Sequence, residues 1–232
     1  MNASDSDLRE VLRKSWMFAE FSDAELERIV ALACTREFDA KQEIVRKGEA
    51  GDGLYVLMQG CVQVVSTSDT GGLTAFRVLK PGEVFGEIAL LDGYPRSATV
   101  TTMEPCTTAF IPQSAFQQLL LEHPRLALVL LSLLSRRIRA LSERIEDRAS
   151  LAIKARLAKQ IVHLADEHGA PMIGGGVRIS LSLSQQELGR FVDATRESVN
   201  KHMRTWTRTG VLRHDRDKLD VYDIDALRSM WN

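Results

Sequence analysis

The chain has 232 residues, 44% of them hydrophobic, and a formal net charge of −1. That is enough apolar material for one large or two modest domains, and it excludes a protein held on nucleic acid by its overall charge. From Leu151 onward there are 13 Lys/Arg against 10 Asp/Glu, and before it 17 against 21, an asymmetry that permits DNA binding by the C-terminal part without requiring it.

The three cysteines, Cys34, Cys61 and Cys106, lie far apart, which argues for reduced core thiols rather than a disulfide framework or a metal cluster. His123, His163, His168, His202 and His214 have no ligand-like spacing, so no metal is expected. No nucleophile–base pair or carboxylate dyad stands out, so no catalytic residues are expected and the chain does not read as an enzyme. Met1 to Glu10 is polar and acidic, unlike a secretion signal, and the apolar stretch Leu126 to Leu134 is far shorter than the ~20 residues of a membrane span. A cytoplasmic protein without a membrane role is the expectation.

The first helix is predicted at Ser22-Asp23-Ala24-Glu25, a capping box with Phe21 and Leu26 placed as a hydrophobic staple, and it should run to about Cys34. Between Thr35 and Ile111 the texture turns to short β pieces: Glu43 to Val45, Gly53 to Met58, Cys61 to Val65, Phe76 to Leu79 and Ala98 to Val100. Turn residues separate them at Gly48 to Asp52, Gln59-Gly60, Asp69 to Gly72 and Pro81-Gly82, and short antiparallel strands at this spacing predict a barrel or roll. The glycines of Gly48 to Gly53 read as turn formers.

Within that region, Phe85-Gly86-Glu87-Ile88-Ala89-Leu90 followed by Tyr94-Pro95-Arg96-Ser97 assembles the parts of a cyclic-phosphate cradle. Gly86 permits close approach at a helix start, where backbone N–H groups favour an anion. Arg96 supplies a planar cationic fork, and Glu87 can accept a ribose hydroxyl. The plain structural alternative is a buried Arg–Glu pair bracing a short helix.

From about Ser114 the chain is predicted helical. After Pro124, Ala127, Leu131, Leu134, Ile138, Leu141 and Ile145 recur at alternating steps of four and three, with charged residues on other faces, the pattern of a parallel coiled-coil seam. A homodimer through the helix 126–148 is therefore expected. Glu146-Asp147-Arg148 reads as a polar interruption and hinge, with Ser150 as cap of a following helix Leu151 to His168. Gly169 to Gly176 reads as a loop and Val177 to Leu183 as strand.

Ser184-Gln185-Gln186-Glu187 is a second capping box, opening a short helix that buries Leu188, Phe191 and Val192. The helix stops at Asp193, a residue tolerant of the left-handed conformation. Thr195 then caps another helix that buries Val199, Met203 and Trp206 and exposes Arg196, Glu197, Asn200, Lys201 and Arg204, which together make a helix-turn-helix. Arg213 to Lys218 and Leu219 to Tyr222 read as the tip and return strand of a wing.

From Ser22 to Tyr222 these motifs resemble the cyclic-AMP receptor protein and FNR (Crp/Fnr) family of transcription regulators. The resemblance implies an α+β fold: an N-terminal cyclic-nucleotide-binding β-roll, jelly-roll-like (1–125), a long dimerisation helix and hinge (126–149), and a C-terminal winged helix-turn-helix (150–232). It implies that Glu87 binds the ribose 2′-hydroxyl, and that Arg96 and Ser97 bind the cyclic phosphate, with backbone N–H groups of Gly86 and Ala89 or Leu90 assisting. Arg137 stands where an arginine pairs with that glutamate, and Ser142 where a serine reaches the adenine amino group across the dimer.

Leu141 replaces a base-contacting threonine, and a hydrogen-bonding group lost from a base site can change specificity by a large factor. Cyclic AMP is the first-choice ligand, cyclic GMP the second, and cyclic di-GMP or no nucleotide are alternatives. For double-stranded DNA the resemblance implies base contacts from Arg196, Glu197 and Lys201, the last an arginine in the family's prototype. Ser184, Gln186 and Ser198 would contact phosphate or sugar. RNA polymerase is an implied partner. The more distant alternative is a cyclic-nucleotide-controlled subunit whose C-terminal half binds protein.

Overall fold

The computed structural model describes residues 3–67, 72–215 and 218–231. They divide into two compact units, Met1–Arg137 and Ile138–Asn232. The Asp69 to Gly71 part of the predicted turn and residues Arg216 and Asp217 of the predicted wing tip lie outside the described residues.

In the first unit, helices α1 (Ala3–Lys14) and α2 (Asp23–Leu32) precede strands β1 (Cys34–Phe38), β2 (Glu43–Val45), β3 (Gly53–Gln59), β4 (Val62–Thr67), β5 (Leu73–Leu79) and β6 (Val84–Phe85). Helix α3 (Glu87–Asp92), strands β7 (Thr99–Thr102) and β8 (Cys106–Pro112), and helix α4 (Gln113–Glu122) follow. The strands form two antiparallel four-stranded sheets, ordered β1-β8-β3-β6 and β2-β7-β4-β5, which is the predicted roll.

Strand β3 shows why the roll holds. Leu54, Val56 and Met58 project to one face, onto Leu12 of α1, Ile29 of α2 and Phe116 of α4, while Tyr55 and Leu57 project to the other, among Val62 and Val100 of the opposite sheet. Alternate side chains of a strand leave opposite faces, so a sheet covered on both sides needs the unbroken apolar run seen here.

The capping box at Ser22 and Glu25 forms as predicted, and Phe21 packs on the core that contains Leu26. Helix α1 was not predicted, because its residues are mostly polar; its buried Leu8 and Leu12 are a thin stripe. The cysteines are free as expected, but of the predicted core thiols only Cys106 is buried; Cys34 is exposed and Cys61 half-buried, and burial, with Glu104 adding to it, pushes the Cys61 thiol up to about 12.

Helix α5 (Pro124–Ser150) is 27 residues long and belongs to both units, dividing after Arg137. It runs unbroken through Glu146-Asp147-Arg148, which corrects the predicted interruption there. The Ser150 hydroxyl donates to the Glu146 carbonyl within α5 and caps nothing; helix α6 (Ile153–His168) begins after Ala152, which has no side-chain cap.

The second unit continues with β9 (Gly169–Pro171), β10 (Val177–Ile179), α7 (Gln185–Val192), α8 (Arg196–Arg208), β11 (Leu212–Asp215), β12 (Lys218–Val221) and α9 (Ile224–Arg228). Its sheet is ordered β11-β12-β10-β9, so the predicted 169–176 loop begins with a strand, and the predicted 177–183 strand ends at Ile179.

Arg178 of β10 binds both oxygens of Asp220 in β12, at 2.6 and 2.8 Å. That hydrogen bond holds the Asp220 carboxyl below its usual range of 3.8, against the opposing effect of burial. A depressed carboxylate stabilises the fold above its unfolded value and loses that contribution as pH falls through the folded one. Asp220→Asn should therefore melt with a shallower acid limb than the wild type below about pH 4, checked by calorimetric scans across pH.

Candidate functional site

Gly86 is the N-cap of helix α3, and its φ of +87° is left-handed backbone that suits glycine. A Cβ there would sit 2.6 Å from Nη1 of Arg96, so a larger residue would push the guanidinium away. Arg96 is buried, with its side chain only 2% exposed. Nη1 donates to the Gly86 carbonyl at 2.7 Å, and Nη2 donates to the Gly53 carbonyl and to Asp52 Oδ1, both at 2.8 Å. Its backbone is fixed too, the N–H bonding Glu49 O and the carbonyl accepting from Gly48 N–H.

Glu87 is 1% exposed. Its Oε1 pairs with Nη1 of Arg137 on α5, whose Nη2 donates to the Val84 carbonyl at 3.3 Å. The braces are thus two, Arg96–Asp52 and Glu87–Arg137, rather than one Arg–Glu pair. Three buried atoms of this constellation, Glu87 Oε2, Arg96 Nε and Arg137 Nε, have no hydrogen-bond partner among the described residues. An unmade bond at a buried polar atom costs about 1–3 kcal/mol, so these atoms suit a polar ligand that brings both donor and acceptor. An oxygen reserved on Glu87 matches a ribose hydroxyl, and the N–H groups of the first turn of α3, with no acceptor inside the helix, match a phosphate.

The structure thus gathers Gly86, Glu87, Arg96 and Arg137. Ala89 and Leu90 are buried on α3, with the Leu90 side chain in the core, so only their backbones can serve a ligand. Ser97 is exposed beside Arg96. Leu141 and Ser142 are exposed on α5 in the second unit.

Sequence reasoning missed Asp52, Gly53 and Glu49 as the frame of Arg96. It also read Gly51 as a turn former, whereas a Cβ there would lie 2.8 Å from the Ala89 Cβ, so its glycine admits the close approach of α3.

The second constellation is the pair α7 and α8. Ser184 and Glu187 form the predicted capping box, Asp193 takes the left-handed conformation (φ +56°, ψ +49°), and Thr195 caps α8 by accepting from the Ser198 N–H. Val199, Met203 and Trp206 are buried, while Arg196, Glu197, Lys201 and Arg204 are exposed along α8. Asn200 and Arg204 join Glu197, Ser198 and Lys201 around one open concave patch, which the 3- and 4-residue helical spacing makes legible. Ser184 and Gln186 are exposed at the start of α7. The Ser198 and Thr195 hydroxyls are hydrogen-bonded to each other at 3.0 Å. Strands β11 and β12 pair from Leu212–Val221 to Asp215–Lys218, forming the wing.

A nucleotide-type cradle in a β-roll, followed by a winged helix-turn-helix, defines a small-molecule-binding transcription regulator. Residues 35–123 match the family described as "Cyclic nucleotide-binding domain", and residues 155–230 match the "Crp-like helix-turn-helix domain". The chain belongs to the Crp/Fnr family, whose members are transcription regulators and not enzymes.

It is 25% identical over 218 residues to a CRP-like cAMP-activated global transcriptional regulator of Mycobacterium tuberculosis, covering 94% of this chain and 97% of that one. It is 29% identical over 197 residues to the cAMP-activated global transcriptional regulator CRP of Haemophilus influenzae, covering 84% and 87%. Among solved structures, the c-di-GMP responsive global regulator CLP of Xanthomonas campestris superposes with a TM-score of 0.75 at 23% identity, over 87% of this chain and 99% of that one. Among the described residues, no single helix is long and apolar enough to cross a membrane.

Proposed function

We propose that the protein is a homodimer in which a cyclic nucleotide, held by the α3 cradle, controls the presentation of two recognition helices to a palindromic DNA site. The observation that carries the ligand half is the buried Glu87, one oxygen spent on Arg137 and the other without a partner. Arg96, Ser97 and the backbone N–H groups of Gly86 and Ala89 or Leu90 would hold the phosphate. Glu87 and Arg137 would hold the ribose, and Ser142, reaching across the dimer from the other protomer, the base.

Cyclic AMP is the first choice, in keeping with the cAMP-activated relatives from M. tuberculosis and H. influenzae. Leu141, which offers the base no hydrogen bond, makes cyclic GMP a plausible second reading. Cyclic di-GMP, to which the X. campestris structural neighbour responds, is the third. The ligand must bind the DNA-competent state better than the other, since otherwise no population shifts. Contact with RNA polymerase and residence in the cytoplasm belong to the same reading.

The dimer rests on an apolar stripe along α5. Leu131, Ile138, Leu141 and Ile145 are 59%, 64%, 47% and 67% exposed in the single chain, at the spacing of a coiled-coil seam. On another face of the helix, Leu126, Leu130 and Leu133 are buried within their own unit.

The DNA half is tested by selecting duplexes from a randomised pool with and without each nucleotide, then measuring affinity by fluorescence anisotropy. Selected sites should be palindromic, and nucleotide should change their affinity. Recovery of no duplex under any condition would favour the protein-binding alternative. On the selected site, Arg196→Ala should cost about 1–3 kcal/mol and relax specificity at one position, while Gln186→Ala should weaken all sequences alike.

A further inference from the structure

Three arginines from two different helices converge on the C-terminal end of α7, where helix carbonyls have no partner within the helix. Arg144 of α5 donates through Nη2 to the Phe191 carbonyl at 2.8 Å. Arg156 of α6 donates through Nε to the Val192 carbonyl at 3.2 Å, and through Nη1 to the Leu151 carbonyl at 2.8 Å, just beyond α5. Arg148 of α5 pairs with the carboxylate of Asp193, the left-handed residue that makes the turn.

The turn these contacts hold is tight. A Cβ at Gly189 would lie 2.5 Å from the Ala194 carbonyl oxygen, and two residues after Ala194 the recognition helix α8 begins.

The contacts differ in weight. Arg148 and Asp193 are 52% and 44% exposed, and an exposed pair contributes little. Arg144 is half-buried, and burial, with the charge of Arg148 adding to it, lowers its pKa from the usual arginine range. Its bond to the Phe191 carbonyl sets a cation against the negative end of α7, an arrangement the helix dipole favours. Lys159 of α6 adds a tie to the same part of α5, bonding Glu143 at 2.6 Å and Asp147 at 2.9 Å. Arg144 and Asp147 thus lie beside the exposed apolar stripe of Ile138, Leu141 and Ile145, which Arg148, seven residues after Leu141, continues.

We infer that Arg144, Arg148 and Arg156 form a clasp that joins the seam-bearing half of α5 to the turn before the recognition helix, so that the seam and α8 move as one body. The linker Leu151-Ala152 is then not the main route of coupling, and a change at the seam reaches α8 through side chains. The inference rests on the proposed regulatory function for its consequence, but the clasp has a readout of its own.

In the full-length chain, without nucleotide or DNA, Arg144→Ala/Arg148→Ala should raise amide hydrogen exchange across Phe191 to Thr195 by about tenfold or more, leaving the β-roll unchanged. On the selected duplex, the ratio of DNA affinities with and without nucleotide should fall to within about twofold of unity, with nucleotide affinity and dimerisation retained. Asp193→Asn tolerates positive φ and removes only the partner of Arg148; it should show a smaller change of the same sign.

Exchange within about twofold of wild type in the double variant would overturn the clasp, as would a nucleotide effect on DNA of wild-type size. A wild-type protein whose DNA affinity ignores every nucleotide would instead sink the regulatory reading, and exchange alone would then decide the clasp.

Discussion

Arg96→Ala should abolish cyclic-nucleotide binding and destabilise the first unit together. The guanidinium bonds two backbone carbonyls and one carboxylate from a position 2% exposed. Truncation removes the arginine donor from the Gly53 carbonyl and one donor from the Gly86 carbonyl, which as the N-cap of α3 also accepts within the helix, while Asp52, 60% exposed, is rehydrated. The lost bonds cost about 1–3 kcal/mol, or roughly 3–12 °C in melting temperature. Arg96→Lys keeps the charge but cannot bridge three acceptors with a planar fork, so it should recover part of the stability and little of the affinity. Ser97→Ala, at an exposed position, should leave the melting temperature within about 2 °C and weaken only binding. A folded Arg96→Ala variant that binds nucleotide within a few-fold of wild type would show that the cradle serves structure alone.

Ile145→Glu should convert the dimer to monomers. Its side chain is 67% exposed in the single chain, so the substitution costs the protomer fold little. Burying each Leu or Ile of the stripe stabilises a dimer by about 1.5–3 kcal/mol, and a glutamate facing its counterpart across a parallel seam replaces one such gain with repulsion between like charges. Losing the second recognition helix should then weaken binding to a palindromic site by about 10²–10⁴-fold. Sedimentation at micromolar concentration checks the first effect and anisotropy the second. A variant that still sediments as a dimer would move the interface away from this stripe.

What the sequence disclosed depends on how local the signal is. The capping boxes at Ser22 and Ser184 and the turn at Asp193 are contained in a few consecutive residues, and they were read correctly. The residues of the α3 cradle are close in sequence except Arg137, which was placed by the family pattern.

The frame behind Arg96 was not legible. Asp52 lies 44 residues away, and nothing in a glycine-rich turn marks a carboxylate that will meet a guanidinium across the roll. Strands β1 and β8 went unread for a related reason: with Arg36, Glu37, Thr107 and Thr108 among their residues, they pair with each other over sequence distance rather than advertising an apolar run. The Glu146-Asp147-Arg148 segment looked like an interruption because all three are charged. Asp147 and Arg148 instead find partners in Lys159 and Asp193, and the helix continues.

Titration calorimetry of the nucleotide-stripped full-length protein with cyclic AMP, cyclic GMP and cyclic di-GMP, repeated with Glu87→Gln, tests the central claim most directly. Wild-type protein should bind a cyclic mononucleotide at one per chain with micromolar or tighter affinity. Glu87→Gln should lose a factor of about ten or more, because a charged acceptor for the ribose hydroxyl becomes a neutral one. Folded wild-type protein that binds none of the three would contradict the account, leaving Glu87 and Arg96 as braces of α3.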